Sequence, residues 1–461
     1  MSAPPELETL YIDNAYIATV DALGNEYSSG HIAVRGNRIT AVGKGSAPRG
    51  IAGAGYLDGA GCLVTPGLVN THHHLYQWVT RGLAVDSTLF GWLETLYPIW
   101  GRIDADIVRT AATGGLSWLA LSGCTMTTDH HYVFPQDGGD VFAATVQAAQ
   151  RVGLRFHPTR GSMDLGRSQG GLPPDSVVED IDTILAATEA AIDTYHDSSS
   201  DSMLRVGVSP CSPFSVTAEL MRKAAELARA KGVRLHTHLC ETLDEQEYCR
   251  ERFSRTPVEY VASLGWLGPD VWFAHAVHLD DASIAQMSAT GTGVAHCPTS
   301  NARLGSGIAR VRDLRNAGVP VGLGVDGAAS NEANSLWEEL HHAVLFARAK
   351  GGRAAMTARQ ALEIATMGGA RVLGRDNEVG SLEVGKLADI AVWRMDTLPH
   401  IDISDPITGL VFGSQPPLEL LLVNGAAVVQ KSRLTTVDAD DVAREVRRAS
   451  QELLSTLGVT A

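Results

Sequence analysis

The chain has 461 residues, with 37 Lys and Arg against 52 Asp and Glu, and a formal net charge of −15. Apolar residues make up 44% and charged residues only 19%, enough for a sizeable core and unlike a coiled coil or a disordered chain. No Lys/Arg stripe is present to track a phosphate backbone, so the composition excludes nucleic acid as a partner.

The N-terminal stretch MSAPPELETLYID lacks a basic region followed by an apolar one, and no apolar run reaches transmembrane length. A cytoplasmic protein without membrane contact is expected. Residues 8–45 alternate apolar and polar positions between Asn and Gly punctuation, which predicts an antiparallel sheet. The same texture returns in LADIAVW (387–393) and ELLLVNGAAVV (419–429). The two ends are expected to form one small β-sandwich domain from residues 1–65 and 377–435.

Between them, from 66 to 376, short apolar runs alternate with helical patterns. Eight candidate strands follow one another: 67–74, 124–131, 154–161, 204–211, 233–240, 271–278, 293–300 and 319–327. That alternation predicts an α/β fold, a (β/α)₈ TIM-type barrel with insertions. The Gly-, Pro- and Asp-rich segment 161–180 reads either as a lid or as a surface excursion. Residues 436–461 read as a charged helix with an apolar stripe at Val442, Val446, Leu453 and Leu454, docked on the outside.

Most candidate strands are apolar first and polar last. Their ends carry His72 and His74, Asp129 and His130, Arg160, Ser209 and Cys211, His236 and His238, His275 and His278, His296, and Asp326. Carboxyl strand ends surround the active site in such barrels. His72 and His74 stand two apart, so on a strand they share a face and His73 takes the other. A lone His-x-His is as compatible with core packing as with a metal. His236-Thr-His238 repeats the pattern, and Asp326 closes the last strand. Three His and one carboxylate suit Zn²⁺, with Fe²⁺ as the other option. Glu241, three residues beyond His238, stands where a proton shuttle is needed; the alternative is a surface Glu.

Other patterns lead elsewhere. Gly322-Leu-Gly324-Val-Asp-Gly327 matches GxGxxG, but it closes the last strand instead of opening a dinucleotide-binding unit. There is no GxxxxGK[ST] and no P-C-x-x-C deaminase signature. The six cysteines, Cys62, Cys124, Cys211, Cys240, Cys249 and Cys297, form no CxxC pair and read as reduced core residues.

TPGLVNTHHH, LHTHLCE, AHAVHLD, HCPTSN and VGLGVDG, in this order and with GSLEVGKLADIAVW after them, resemble the amidohydrolase superfamily over nearly the whole chain. The resemblance implies that His72, His74, His238 and Asp326 bind a metal. It implies that His275 lies beside the reacting water and the substrate, and that Glu241 is the shuttle. Two-metal members carry a carboxylated Lys ending the fourth strand. Here that strand reads LRVGVSPCS, which favours the one-metal deaminase and chlorohydrolase branch.

Within that branch HHHLYQWVTRG, LFGWLETLYPIW, PTRGSMDLG and CPTSNARLGSGIA resemble the 8-oxoguanine deaminases. Triazine hydrolases are similar over much of the same span. The departures are VDGAASNE where VDGSASND is expected, and SGIAR where SGIAP is. The activity implied is conversion of 8-oxoguanine to urate and ammonia. Alternatives are deamination of guanine, isocytosine or a pterin, release of chloride or alkylamine from a triazine, and a metal-free scaffold. For the small heterocyclic substrate, Gln77 offers an amide, Trp92 a stacking surface and Arg160 a guanidinium. Trp92 could equally be a core aromatic, and Arg160 a salt-bridge partner. A homo-oligomer is left open.

Overall fold

The computed structural model of the chain describes residues 9–455. Residues 1–8, which hold most of the stretch read for the absence of a targeting signal, and 456–461, the end of the terminal-helix range, lie outside the described residues.

All eight expected strands form, and they close into a parallel barrel. They are β1 (Leu68–Asn70), β2 (Cys124–His131), β3 (Arg155–Ser162), β4 (Gly207–Pro210), β5 (Leu235–Leu239), β6 (Val271–His275), β7 (Gly293–His296) and β8 (Val321–Leu323). Helices alternate with them, and their ends follow local chemistry. Asp104, Asp140, Asp180 and Thr217 each accept a hydrogen bond from the amide three residues on, which satisfies a donor that has no partner inside the helix. Gly153, Gly232 and Gly291 end helices in the left-handed conformation.

The chain ends build a second sheet. Thr9–Ala18, Glu26–Arg35 and Arg38–Lys44 pair antiparallel, and Cys62–Pro66 runs parallel to Thr9–Ala18. Ile390–Arg394 pairs antiparallel with Cys62–Pro66, placing Val392 opposite Val64 and joining the two ends of the sequence. The expected sandwich is one continuous nine-stranded sheet. Ile17, Ile32 and Ile39 from one arm share an apolar core with Ile390, Val392 and Leu422 from the other.

Cys62–Pro66 leads directly into β1, and the Gly67 amide donates to the Asp389 carbonyl at 2.9 Å. The sheet is therefore fixed to the amino end of the barrel, and the carboxyl end stays open for loops. The last described helix, Ala439–Ser455, buries Val442, Ala449, Leu453 and Leu454. No described helix is long and apolar enough to cross a membrane.

Candidate metal centre

β1 stops at Asn70, so His72 lies beyond the regular strand. The chain then re-forms a short pairing, with His73 and His74 opposite Asp326 and Gly327. That pairing sets the metal-ligand candidates face to face. His72 Nε2 and His74 Nε2 each lie 3.3 Å from Asp326 Oδ1. His74 Nε2 lies 3.1 Å from His238 Nε2.

Glycine makes the approach possible. A Cβ on Gly324 would stand 2.7 Å from His72 Cβ, and one on Gly327 would overlap the Gln77 amide. The glycines of the apparent dinucleotide motif thus serve side-chain packing. Asp326, His275 and Cys240 take positive φ of 62°, 71° and 57°, a strained choice for non-glycine residues that recurs at functional sites.

Hydrogen bonding on the far side of each ring fixes the tautomers. His74 Nδ1 donates to the His130 carbonyl at 2.7 Å, and His238 Nδ1 donates to the Cys211 carbonyl at 2.7 Å. His236 Nδ1 donates to the Trp272 carbonyl, so its Nε2 accepts from His72 Nδ1 at 2.8 Å. A carbonyl only accepts, and a neutral imidazole carries one proton. The Nε2 atoms of His72, His74 and His238 are therefore all bare lone pairs. Two of them face each other at 3.1 Å beside an anionic Asp326 oxygen. Lone pairs so close repel unless a cation lies among them, and this donor set fits a divalent metal.

Burial foremost pushes His72, His74 and His238 below the ordinary imidazole range, so the ligands are neutral. Burial works the other way on Asp326, but the surrounding imidazoles outweigh it and hold the carboxyl well below its usual range. Ser300 Oγ and Ser330 Oγ donate to Asp326 Oδ2 at 2.6 and 3.2 Å, and the Gly327 amide donates to Oδ1.

His275 Nε2 lies 3.7 Å from Glu241 Oε2 and 4.0 Å from Asp326 Oδ2, while its Nδ1 is held by Asn301 Oδ1. Burial opposes charge on His275, yet the two carboxylates raise its pKa. Burial raises Glu241, Asp326 adds to the rise, and His275 opposes it. The loop carrying Glu241 is held by the Glu245 carboxylate, which accepts from the amides of Cys240 and Glu241 at 2.8 and 3.3 Å.

The cavity above these groups has a volume of about 60 Å³. The helix Leu89–Trp100 lines one wall with Phe90, Trp92, Leu93 and Tyr97. Phe214 packs edge-on to Phe90, and Leu172 brings the 161–180 segment to the same cavity. Trp92 keeps its ring at the wall and donates its indole N–H to the Ala329 carbonyl. Gln77 also lines the cavity; it is fully buried, and neither end of its amide has a hydrogen-bond partner among the described residues.

The structure thus brings together His72, His74, His238, Asp326, Glu241, His275, Gln77 and Trp92. Arg160 stands apart from them. That guanidinium bonds Glu179 at 2.8 Å and the Gly161 carbonyl, lies over the Phe134 ring, and does not line the cavity. Two residues left without a role in the sequence analysis enter the centre. A nitrogen of His130 falls within 4.8 Å of those of His72, His74 and His238, and its ring stacks on His238. His236 is the one that orients His72.

Neutral imidazoles and a carboxylate converging at the carboxyl mouth of a (β/α)₈ barrel define a metal-dependent hydrolase. The chain belongs to the amidohydrolase family, whose sequence profile matches residues 63–427. It is 41% identical over 443 residues to 8-oxoguanine deaminase of Pseudomonas aeruginosa, covering 95% of this chain and 98% of that one. It is 40% identical to isoxanthopterin deaminase of an unknown prokaryotic organism, covering 92% of both. Among solved structures, atrazine chlorohydrolase from Arthrobacter aurescens TC1 complexed with zinc matches with a TM-score of 0.90 at 32% identity. That match covers 96% of this chain and 100% of the other.

Proposed function

We propose that the protein hydrolyses the exocyclic C–N bond of an aminated purine-type ring, with 8-oxoguanine giving urate and ammonia as the favoured reaction and one Zn²⁺ as the metal. The observation that carries this reading is Gln77. A buried amide with both ends unpaired is costly unless a ligand completes it. A purine offers a ring N–H and a neighbouring carbonyl to such an amide, while a chlorotriazine has neither a ring N–H nor a carbonyl and offers ring nitrogens beside exocyclic amine N–H groups. The relationship to 8-oxoguanine and isoxanthopterin deaminases supports the same choice.

Held by His72, His74, His238 and Asp326, a divalent ion supplies Lewis acidity, lowering a water's pKa towards ~7. The chain's own groups do the rest. Asp326 Oδ2, steadied by Ser300 and Ser330, accepts the water's proton. Glu241 hands a proton to the ring nitrogen beside the attacked carbon, which makes that carbon more electrophilic. His275, held by Asn301, orients the water and faces the charge that develops. The amino group leaves as ammonia with the proton stored on Asp326, and as the carbonyl forms the hydroxyl proton passes to Glu241, which restores its acid form. Trp92 and Phe90 exclude water from the flat ring.

The test is a product screen on chelated protein reloaded with Zn²⁺ or Fe²⁺. The panel contains 8-oxoguanine, guanine, isocytosine, isoxanthopterin, adenosine derivatives and chloro- and alkylamino-triazines. Ammonia release with the highest kcat/KM on 8-oxoguanine is the expected result. Chloride or alkylamine as the main product would reassign the site to displacement on triazines. No bound metal by elemental analysis and no turnover after metal addition would leave a scaffold protein.

A further inference from the structure

A second concentration of buried charge lies at the opposite, amino end of the barrel. Arg155 and His157 start β3, Arg205 precedes β4, Arg234 precedes β5, and Arg375 follows the short helix Gly369–Val372. Their pairing is uneven. Arg155 forms two bonds to Asp389, at 2.9 and 3.0 Å. Glu378 is shared by Arg205, at 2.7 Å, and Arg375. Among the described residues Arg234 has no ion pair and hydrogen-bonds the carbonyls of Pro269 and Val372. Asp270 and Asp376 act on it at a distance, and Asp270 is itself engaged by Arg229 at 3.0 Å.

Among the described residues, four guanidiniums, Arg155 and Arg375 buried and Arg205 and Arg234 half-buried, are thus matched by two close carboxylates, where buried charge normally demands a partner. Burial first, then the neighbouring guanidiniums, pushes Arg375 down to about 10 and keeps His157 neutral. Four nitrogens in this cluster have no hydrogen-bond partner among the described residues: Arg205 Nε, Arg234 Nε, Arg375 Nη1 and His157 Nδ1. His157 is 1% exposed. Together with His196, Ser198, Arg205 and Arg234 it lines a cavity of about 230 Å³ that opens to solvent.

We propose that this cavity binds a small oxyanion of the phosphate class, inorganic phosphate or a phosphate monoester, between Arg205, Arg234 and His157. Guanidinium forks match phosphate oxygens. Donors arriving from three separate strand entries suit a tetrahedral anion better than a planar carboxylate, which a single fork satisfies. Bound there, the anion ties the starts of β3, β4 and β5 together at the end remote from the metal centre. It stabilises the native fold in proportion to its occupancy.

Thermal unfolding in phosphate, a phosphate monoester, acetate and chloride at matched ionic strength tests this, together with ³¹P line widths. Phosphate or the monoester is expected to raise Tm saturably and to broaden its ³¹P signal, with acetate and chloride inactive. The monoester alone acting would identify an esterified ligand. Arg234→Gln is expected to weaken binding at least tenfold. Should that variant not fold, Ser198→Asp, which sets a carboxylate at the exposed rim, is expected to weaken it as well. Equal Tm in phosphate, monoester and chloride with unbroadened ³¹P signals would overturn the proposal. So would undiminished binding in the variants that fold.

Discussion

The two ends of the barrel solve opposite problems with the same device. At the carboxyl mouth, bare imidazole lone pairs and the Asp326 carboxylate crowd together, an arrangement that calls for a cation. At the amino end, Arg234 and its neighbours leave positive charge and donors over, which calls for an anion. The metal-site residues are buried, Arg205 and Arg234 only half-buried, and both groups depend on residues brought together by parallel strands. The difference lies in what surrounds them. The mouth is walled by loop residues and aromatic side chains. The amino end is capped by the sheet formed from the chain ends, through Asp389 and Asn424. Chemistry is therefore expected to respond to changes at the mouth alone.

The strongest test of that division is Glu241→Gln. Removing one general acid–base group typically costs about 10²–10⁴ in rate, and kcat is expected to fall by that much while zinc content stays at the wild-type level. Loss of the metal instead would make Glu241 a ligand. The pH profile sharpens the point. Burial foremost raises the Glu241 carboxyl above its ordinary value of 4.5. Turnover that needs its proton is full below the raised pKa and declines as pH climbs through it. That alkaline limb is expected to be missing from the variant's residual activity.

The mouth was more legible in the sequence than the amino end, for a physical reason. His72, His74, His238 and Asp326 stand at the ends of apolar runs, and the barrel rule converts strand ends into one neighbourhood. The groups that steady them left no such mark. His72 and His236 are 164 residues apart, and Ser300, Ser330 and Asn301 look like ordinary loop residues until the strands close. Glu245 was hidden the same way, as one acid among several on a helix. At the amino end, Arg155, Arg205, Arg234 and Arg375 are scattered singly through the chain. Only the closed barrel brings them together, with Arg205 and Arg234 lining one cavity. The end-formed sheet was readable in residues 8–45, 387–393 and 419–429, from alternating apolar and polar positions. Its continuity depended on the pairing of Cys62–Pro66 with Ile390–Arg394, a contact no local pattern encodes.

A smaller effect is expected from His236, which touches no part of the cavity. Its role is to accept from His72 Nδ1 and so keep His72 Nε2 bare. Disrupting a partner of this kind weakens metal binding by about 10–100-fold. His236→Leu is therefore expected to lose zinc to a competing chelator in that range, with kcat recovered when zinc is saturating. Gln at the same position restores an acceptor and is expected to recover part of the affinity. A purely structural residue would lower Tm without moving the chelator competition.

The smallest effect on catalysis is expected at Arg160, and it decides between the two readings the sequence left open. Arg160 stands at a strand end, as the ligands do, but it shares a face with Phe156, which packs into the main apolar core among the surrounding helices. Its guanidinium is spent on Glu179, the Gly161 carbonyl and the Phe134 ring. Arg160→Met keeps the bulk of the stem and removes the charge. Glu179 is partly exposed, so water can take over its oxygens, and the cost is about 1–3 kcal/mol of stability, the scale of a charged hydrogen bond. KM and kcat on the favoured purine are expected to stay within about twofold, because a group that never reaches the substrate contributes no differential binding. A rise in KM of tenfold or more, at unchanged Tm, would return Arg160 to the substrate site and mean that the strand end turns inward when the ring is bound.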